Sequence, residues 1–289
     1  MASSRKLPVS YNTSTYGSGK DYSEGQLSTW EAATDNDLVT AAKGEVLEVY
    51  KEGSGGNLWD DYVTLDGATT NSSYFRVIKP ASGEGHSGIP KDDGSMAGFR
   101  RINPINPTSG NLLWINENYS SLQDMVCTMS GSSDSYNFQP FGAGDYNNTS
   151  IVGCIAFDVN NASDIKFGLG FAISVNAGNN SFYINCIAIN CEELGFSQYD
   201  GGNAYLYNCT AVNCKMGFFQ NDGTCIIKNC LADGNTTDYS GTFTATTCSS
   251  SDATSPNTAL QNQSNTFEDS ASNNFHLVSG DDAKDQGTD

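Results

Sequence analysis

Hydrolysis of a glycosidic bond needs two carboxyl groups facing one groove. The carboxylates this sequence could offer are the adjacent Glu192 and Glu193, with Asp158, Asp200, Asp222 and Asp233 at other bends. No spacing converges two of them on one face, and acids at such bends are ordinarily solvated charge. Elimination on acidic sugars would need a Ca²⁺-binding carboxylate cluster with an Arg or Lys base beside it. The four arginines are Arg5, Arg76, Arg100 and Arg101, and none lies between residues 151 and 235. A Ser-His-Asp order, a phosphate loop and a zincin helix are all missing. The chain is therefore expected not to be an enzyme, with no catalytic residue and no cofactor assigned.

Nine cysteines stand at 127, 154, 186, 191, 209, 214, 225, 230 and 248. The only histidines are His86 and His276, and the Cys-x4-Cys spacings lack the tight C-x2-C knuckle of a structural zinc site, so no metal is expected. Cys154, Cys186, Cys209 and Cys230 fall in one register column, and Cys191 and Cys214 in another. Strands stacked ~4.8 Å apart could bridge such neighbours, or could hold them as reduced, buried thiols. The aromatics Tyr183, Tyr205, Tyr207, Phe196, Phe218 and Phe219 also recur with this period. Such a ladder suits a core or a subunit contact, and an exposed one would suit sugar rings.

The elements that carry these residues are set by a repeat. Residues 181–191, 204–214 and 225–235 are three copies of one pattern, with Asn-Cys pairs at 185/186, 208/209 and 229/230, giving periods of 23 and 21 residues. A Gly-Phe pair closes the first two copies, at Gly195-Phe196 and Gly217-Phe218. A period this short means stacked coils, each too small to bury its own apolar face. Every copy is a set of short β-branched and aromatic runs broken by Asn and Gly, without helical spacing. The expected fold is all-β, a parallel β-helix solenoid with three short strands per coil.

Composition narrows the partners. The chain has 289 residues, with 14 cations against 33 anions and a net charge of −19. That balance argues against nucleic acid and against an anionic membrane surface. The opening residues carry two cations without an apolar run, so no secretory signal is expected, and no segment is long enough to span a bilayer. The sequons at Asn71, Asn118, Asn208 and Asn235 reflect an Asn/Ser/Thr-rich composition.

Along the chain, residues 1–27 are expected to form an extended N-terminal arm whose removal spares the fold. Ser28 and Glu31 have capping-box spacing for a short N-terminal capping helix through Trp30, Ala32 and Ala33. The parallel β-helix is expected over 28–240, with loop insertions at 80–98 and 129–149, the latter carrying Tyr136, Phe138, Phe141 and Tyr146. Residues 241–289 are expected as a C-terminal cap, with a last strand around Phe275.

The repeated I-x-N-C and N-x-A-x-N pattern resembles the right-handed parallel β-helix (pectin-lyase-like) superfamily. Residues 28–33, 115–119, 237–240 and 275–289 are similar to β-helix proteins of tailed bacteriophages. That set tends to close in Ala-Ile-Asp-x-Gly-Thr-Asp, whereas Lys284 stands here at the apolar position. The superfamily includes pectate lyases, polygalacturonases and tailspike depolymerases. The resemblance implies a right-handed solenoid and a non-enzymatic structural protein of a tailed-phage virion, most suited to capsid decoration. It implies capsid or other virion proteins as partners, and a homotrimer. The chain would assemble in the host cytoplasm and leave by lysis. A tailspike-like polysaccharide depolymerase and a carbohydrate-binding fibre, with a surface glycan as ligand, are the alternatives.

Overall fold

A computed structural model describes residues 5–52, 57–102, 110–131, 137–161, 168–281 and 283. Most of these residues are in short strands, and among the described residues the strands form three long sheets that are parallel throughout. The first sheet takes Tyr11–Tyr16, Gly44–Val49, Arg76–Pro80, Ser121–Gln123, Thr149–Val152, Asn180–Ile184, Asn203–Tyr207, Thr224–Lys228 and Phe243–Thr246. The second runs from Trp59–Asp60 through Gly98–Ile102, Val126–Gly131, Ile155–Phe157, Ile187–Ile189, Thr210–Val212 and Leu231–Asp233 to Ser249–Ser250. The third stacks Val63–Asp66, Asn111–Asn116, Gln139–Ala143, Leu169–Ile173, Leu194–Gln198, Met216–Gln220 and Thr237–Ser240.

From Gly44 onward the chain visits the three sheets in turn and returns to the first one strand further on. Each circuit is one rung, and the arrangement is consistent with a β-helix solenoid. Left-handed residues make the corners. Between the first and second sheets these are Asp124, Gly153, Asn185, Asn208, Asn229 and Thr247, and all have φ between 53° and 67°. Asn and Gly tolerate that region, which explains why the repeat is punctuated by them.

The corner asparagines also bond to one another. The Asn208 amide donates to Asn185 at 3.1 Å, and Asn229 donates to Asn208 at 3.1 Å. A second ladder runs from Asn213 to Asn190 at 3.3 Å and on to Asp158 at 2.8 Å. A third links Asn203, Asn180 and Asn147 at 3.1 and 3.0 Å. Asn208→Ala removes two ladder bonds and puts a Cβ-bearing residue without a local hydrogen bond at φ 54°. We expect it to lower stability by ~1–2 kcal/mol in urea unfolding. Asn208→Gly, which keeps the backbone conformation, should recover about half of that; equal losses would show that φ is not the cause.

The interior is one continuous cluster between the three sheets. Its spine is an aromatic stack, Phe141, Phe171, Phe196, Phe218 and Tyr239, with centroids 5.1, 4.6, 5.0 and 5.0 Å apart and planes within 9° of parallel. The glycine of each Gly-Phe pair is required by backbone approach. A Cβ at Gly195 would stand 2.7 Å from the Gly217 carbonyl oxygen on the next rung.

Several sequence expectations change here. Tyr11–Tyr16 is not part of a free arm but the first strand of the first sheet, paired in register with Gly44–Val49. Its polar pattern hid it, because only Tyr16 is fully buried. Removal of residues 1–27 would therefore strip a strand and the core residues Tyr16 and Leu27. Upstream of that strand, the chain lies over the outer face of the same sheet. Leu7 packs on Val46, Phe75 and Val77, Gln123 donates to the Lys6 carbonyl at 2.8 Å, and Arg5 forms a two-pronged ion pair with Asp124.

The helix is present as Leu27–Thr34, but the Ser28-Glu31 capping box is not. Asp61, only 6% exposed, accepts from the Leu27 N–H at 2.9 Å and from the Tyr16 hydroxyl at 2.7 Å, so the cap comes from a distant residue. Leu27 and Trp30 enter the core, while Ala32 and Ala33 are exposed. Glu31 is thereby free to cover a sheet end, accepting from the Asp66 N–H at 3.2 Å as Glu24 does from Asp60 at 2.9 Å. These carboxylates satisfy N–H groups that an open edge would expose.

The segment 129–149 is not a single insertion. Val126–Gly131 and Gln139–Ala143 are strands of the second and third sheets, and Phe138 and Phe141 are core residues. Tyr136 lies outside the described residues. The loop expected at 80–98 is found between Arg76–Pro80 and Gly98–Ile102. The repeat also persists past residue 240 for Phe243–Thr246 and Ser249–Ser250. Side chains of Asp252, Thr254 and Asn257 then bond the N–H groups of Asp238, Tyr239 and Cys248 at 3.0, 2.9 and 2.8 Å, closing that end. Asn274–Leu277, expected as a last strand, instead pairs antiparallel with Phe267–Asp269. Phe267 and Phe275 pack on an apolar strip of the second sheet's outer face that includes Leu58, Val126 and Val212. Lys284 lies outside the described residues.

Candidate functional site

Five of the six carboxylates singled out by sequence are bonded to a donor of their own, and the sixth, Asp200, lines a cleft on the third sheet. Glu192 accepts from the Asn161 N–H at 2.7 Å, and Glu193 pairs with Lys215 at 2.7 Å. Asp158 accepts from Asn190, Asp222 from the Gly223 N–H at 2.7 Å, and Asp233 from Asn265 at 2.5 Å. Each of these acids thus holds a bend. Glu192, Lys215, Cys191 and Cys214 line a shallow cleft of about 510 Å³ at the corner between the second and third sheets.

The arginines are structural as well. Arg76 is completely buried and bonds Glu117 at 2.8 and 2.5 Å, Glu31 at 3.1 Å and the Asp66 carbonyl at 2.7 Å. Burial alone would lower its pKa, but the bonds and charges of Glu117 outweigh that and raise it. Arg100 pairs with Asp92 at 3.4 Å, and Arg101 lies over the Tyr62 ring at 4.1 Å.

All nine cysteines are buried free thiols. The register places Cys248 in the column of Cys154, Cys186, Cys209 and Cys230, whose thiols donate to strand carbonyls such as Tyr183 O at 3.4 Å from Cys209. Burial pushes the thiols of Cys127, Cys154, Cys191 and Cys209 well up, so they stay protonated at neutral pH. Among the described residues no group of three or more His, Cys, Asp or Glu is placed to hold a metal ion.

Of the recurring aromatics, Tyr183, Phe196 and Phe218 are core residues, while Tyr205, Tyr207 and Phe219 are half-buried on outer faces.

His86 anchors the 81–97 loop. Its Nε2–H donates to the Gly153 carbonyl at 2.7 Å, and Nδ1 accepts from the Gly88 N–H at 3.1 Å. Burial lowers its pKa from 6.5, against the opposing Gly153 carbonyl and Asp124, with Arg5 acting in the same direction as burial. The unfolded chain therefore binds this proton more readily. The contribution to stability is full above the unfolded value and is lost as the pH falls through the folded one. We expect the urea midpoint to drop as the pH falls below about 6.5, with His86→Gln flattening that part of the profile; an unchanged slope would refute the assignment.

A further cleft is lined by residues that were not among the sequence candidates, apart from Asp200. On the outer face of the third sheet, Trp114, Asn116, Gly144, Asp145, Tyr146, Ser174 and Asp200 line about 650 Å³. Trp114 is on Asn111–Asn116, and its partner on the next rung is Gly142. A Cβ at Gly142 would stand 2.0 Å from the indole ring, so the glycine lets the ring lie flat over the sheet. The indole N–H donates to Asn116 at 2.9 Å, which fixes the ring's orientation. Tyr146 is pushed to a higher pKa by desolvation and then by Asp66 and Asp145, and so remains a hydroxyl donor. A phenol, two carboxylates and an amide can hydrogen-bond a polyhydroxylated ligand. The available signal was a Trp at an outward strand position followed one rung later by Gly-Ala-Gly at 142–144. It was missed because that strand was expected to be an insertion.

A mostly β chain with long parallel sheets, consistent with a β-helix solenoid, is the class that the coordinates define. No protein-family profile, no curated protein and no solved structure matches the chain.

Proposed function

We propose that the chain is a right-handed parallel β-helix of the pectin-lyase-like kind that serves as a non-enzymatic structural protein of a tailed-phage virion, with decoration of the capsid as its role. The phage link rests on the short sequence similarities at residues 28–33, 115–119, 237–240 and 275–289. The observation that carries the non-enzymatic part is that Glu192, Glu193, Asp158, Asp222 and Asp233, five of the six candidate acids, are each bonded to a donor at a bend. A stack of rungs with both ends closed by side chains suits a rigid protrusion, and an acidic exterior limits association between particles. The partners are then capsid or other virion proteins, met after assembly in the host cytoplasm. The test is cryo-electron microscopy of the assembly that contains the chain. Regular copies on a capsid lattice support the reading, and a position at a tail tip rejects decoration.

A second reading, a carbohydrate-binding fibre or depolymerase, is favoured by the Trp114 cleft. It expects polysaccharide binding that Trp114→Ala abolishes. Release of reducing ends that Asp145→Asn or Asp200→Asn stops would make the chain an enzyme.

A further inference from the structure

The acids of this chain are not evenly spread over its sides. In the later rungs, Asp158, Glu192, Glu193, Asp200, Asp222, Asp233 and Asp238 all belong to the second and third sheets or to the corners that follow them. The first-sheet side has none. Residues 149–154, 179–186, 203–209, 224–230 and 242–248 contain no Asp or Glu, although the whole chain has 33.

That side also carries aromatic and aliphatic side chains outward. Ile151, Tyr183, Leu206 and Ile227 point into the core, so the alternate residues face outward. One outward column is Ser150, Phe182, Tyr205, Ile226 and Thr244, and the next holds Tyr207 and Lys228. Phe182 and Tyr205 are half-buried and stacked at 4.8 Å with planes 16° apart, and Tyr207 lies 6.3 Å from Tyr205. Uncharged amide ladders, Asn180 with Asn203 and Asn185 with Asn208 and Asn229, flank the rings. In the earlier rungs the same outer face is covered by the chain's own residues 5–8. In the later rungs Phe182, Tyr205, Tyr207 and Ile226 on this face are half-buried and Thr244 is exposed.

We propose that this face is where a second copy of the chain docks, side against side. Two bodies of charge −19 repel over most of their surfaces, and this is the side on which the later rungs of two copies can meet without opposing carboxylates. Depletion of charge with enrichment of aromatics is the pattern of an interface centre. A second copy also presents the same ~4.8 Å rung spacing, so the outward columns of two copies can lie against each other in register. Phe182, Tyr205 and Tyr207 supply three rings to the face, so the association is concentration-dependent. This inference stands on the face and does not depend on the virion reading.

Sedimentation velocity of the purified chain from about 1 to about 500 μM tests it, at low and at high salt. The expected result is reversible self-association that strengthens with salt as the acidic sides are screened, and that Tyr205→Glu weakens at least tenfold. Val39→Glu, at an exposed apolar residue on another element, should leave it unchanged. If Tyr205→Glu fails to fold by circular dichroism, Thr244→Glu at the exposed end of the same column takes its place. A monomer at every concentration, or association indifferent to the variant on this face, overturns the proposal.

Discussion

Arg76→Ala should unfold at a Tm lower by about 10 °C, a loss of ~3–5 kcal/mol. The size follows from what remains. Glu117 is 2% exposed, and without the guanidinium it would be a buried carboxylate with Ser120 as its remaining side-chain donor. The backbone carbonyls of Glu31 and Asp66 would also lose donors now 3.0 and 2.7 Å away. These bonds tie the helix Leu27–Thr34 to the strands that end at Asp66 and Asn116, so the first rungs should loosen together. Breaking a buried pair and replacing one differ in cost, and this gives the control. The double variant Arg76→Met, Glu117→Leu should regain more than half of the loss. A double variant no more stable than Arg76→Ala would mean that geometry, not the orphaned charge, sets the effect.

Phe196→Ala comes next, at ~3–5 kcal/mol. Its ring lies 4.6 Å from Phe171 and 5.0 Å from Phe218 in near-parallel stacking, and none of the three is more than 1% exposed. Truncation leaves a void that neither neighbour can fill, because both are held by their own strands. In a stack of repeats each unit is stabilised chiefly by the two beside it. Hydrogen exchange should therefore accelerate in Leu169–Ile173 and Met216–Gln220 as well as in the mutated strand. Acceleration confined to Leu194–Gln198, or a loss below ~1 kcal/mol, would show that the stack is not what holds these rungs.

What was legible in the sequence was whatever repeats. The Asn-Cys pairs place left-handed corners at 185, 208 and 229, and the cysteine columns follow from the same count. What was not legible depends on residues that meet once. Tyr11–Tyr16 carries the polar run Asn12 to Thr15 and gains its place from the pairing with Gly44–Val49, not from its own pattern. Ser28 and Glu31 have the spacing of a capping box, yet Asp61 reaches the helix start first and leaves Glu31 for Arg76. Gln139–Ala143 reads as Gln-Pro-Phe-Gly-Ala, where Pro and Gly argue against a strand. There the glycine makes room for Trp114, a long-range requirement without a local signature. The candidate cleft was hidden for the same reason.

The two chain ends run back over the stack in the way that straps close a roll. Residues 5–8 reach from the first strand to Asp124, and the hairpin of Phe267–Asp269 and Asn274–Leu277 reaches from the last rung toward Leu58 near the other end. A row of repeats would ordinarily fray from its tips, losing one unit at a time. Here the terminal units cannot peel away without lifting a strap that is fastened several rungs inward. The beginning and the end of unfolding are thus joined, and an architecture that grows like a ladder should melt like a knot.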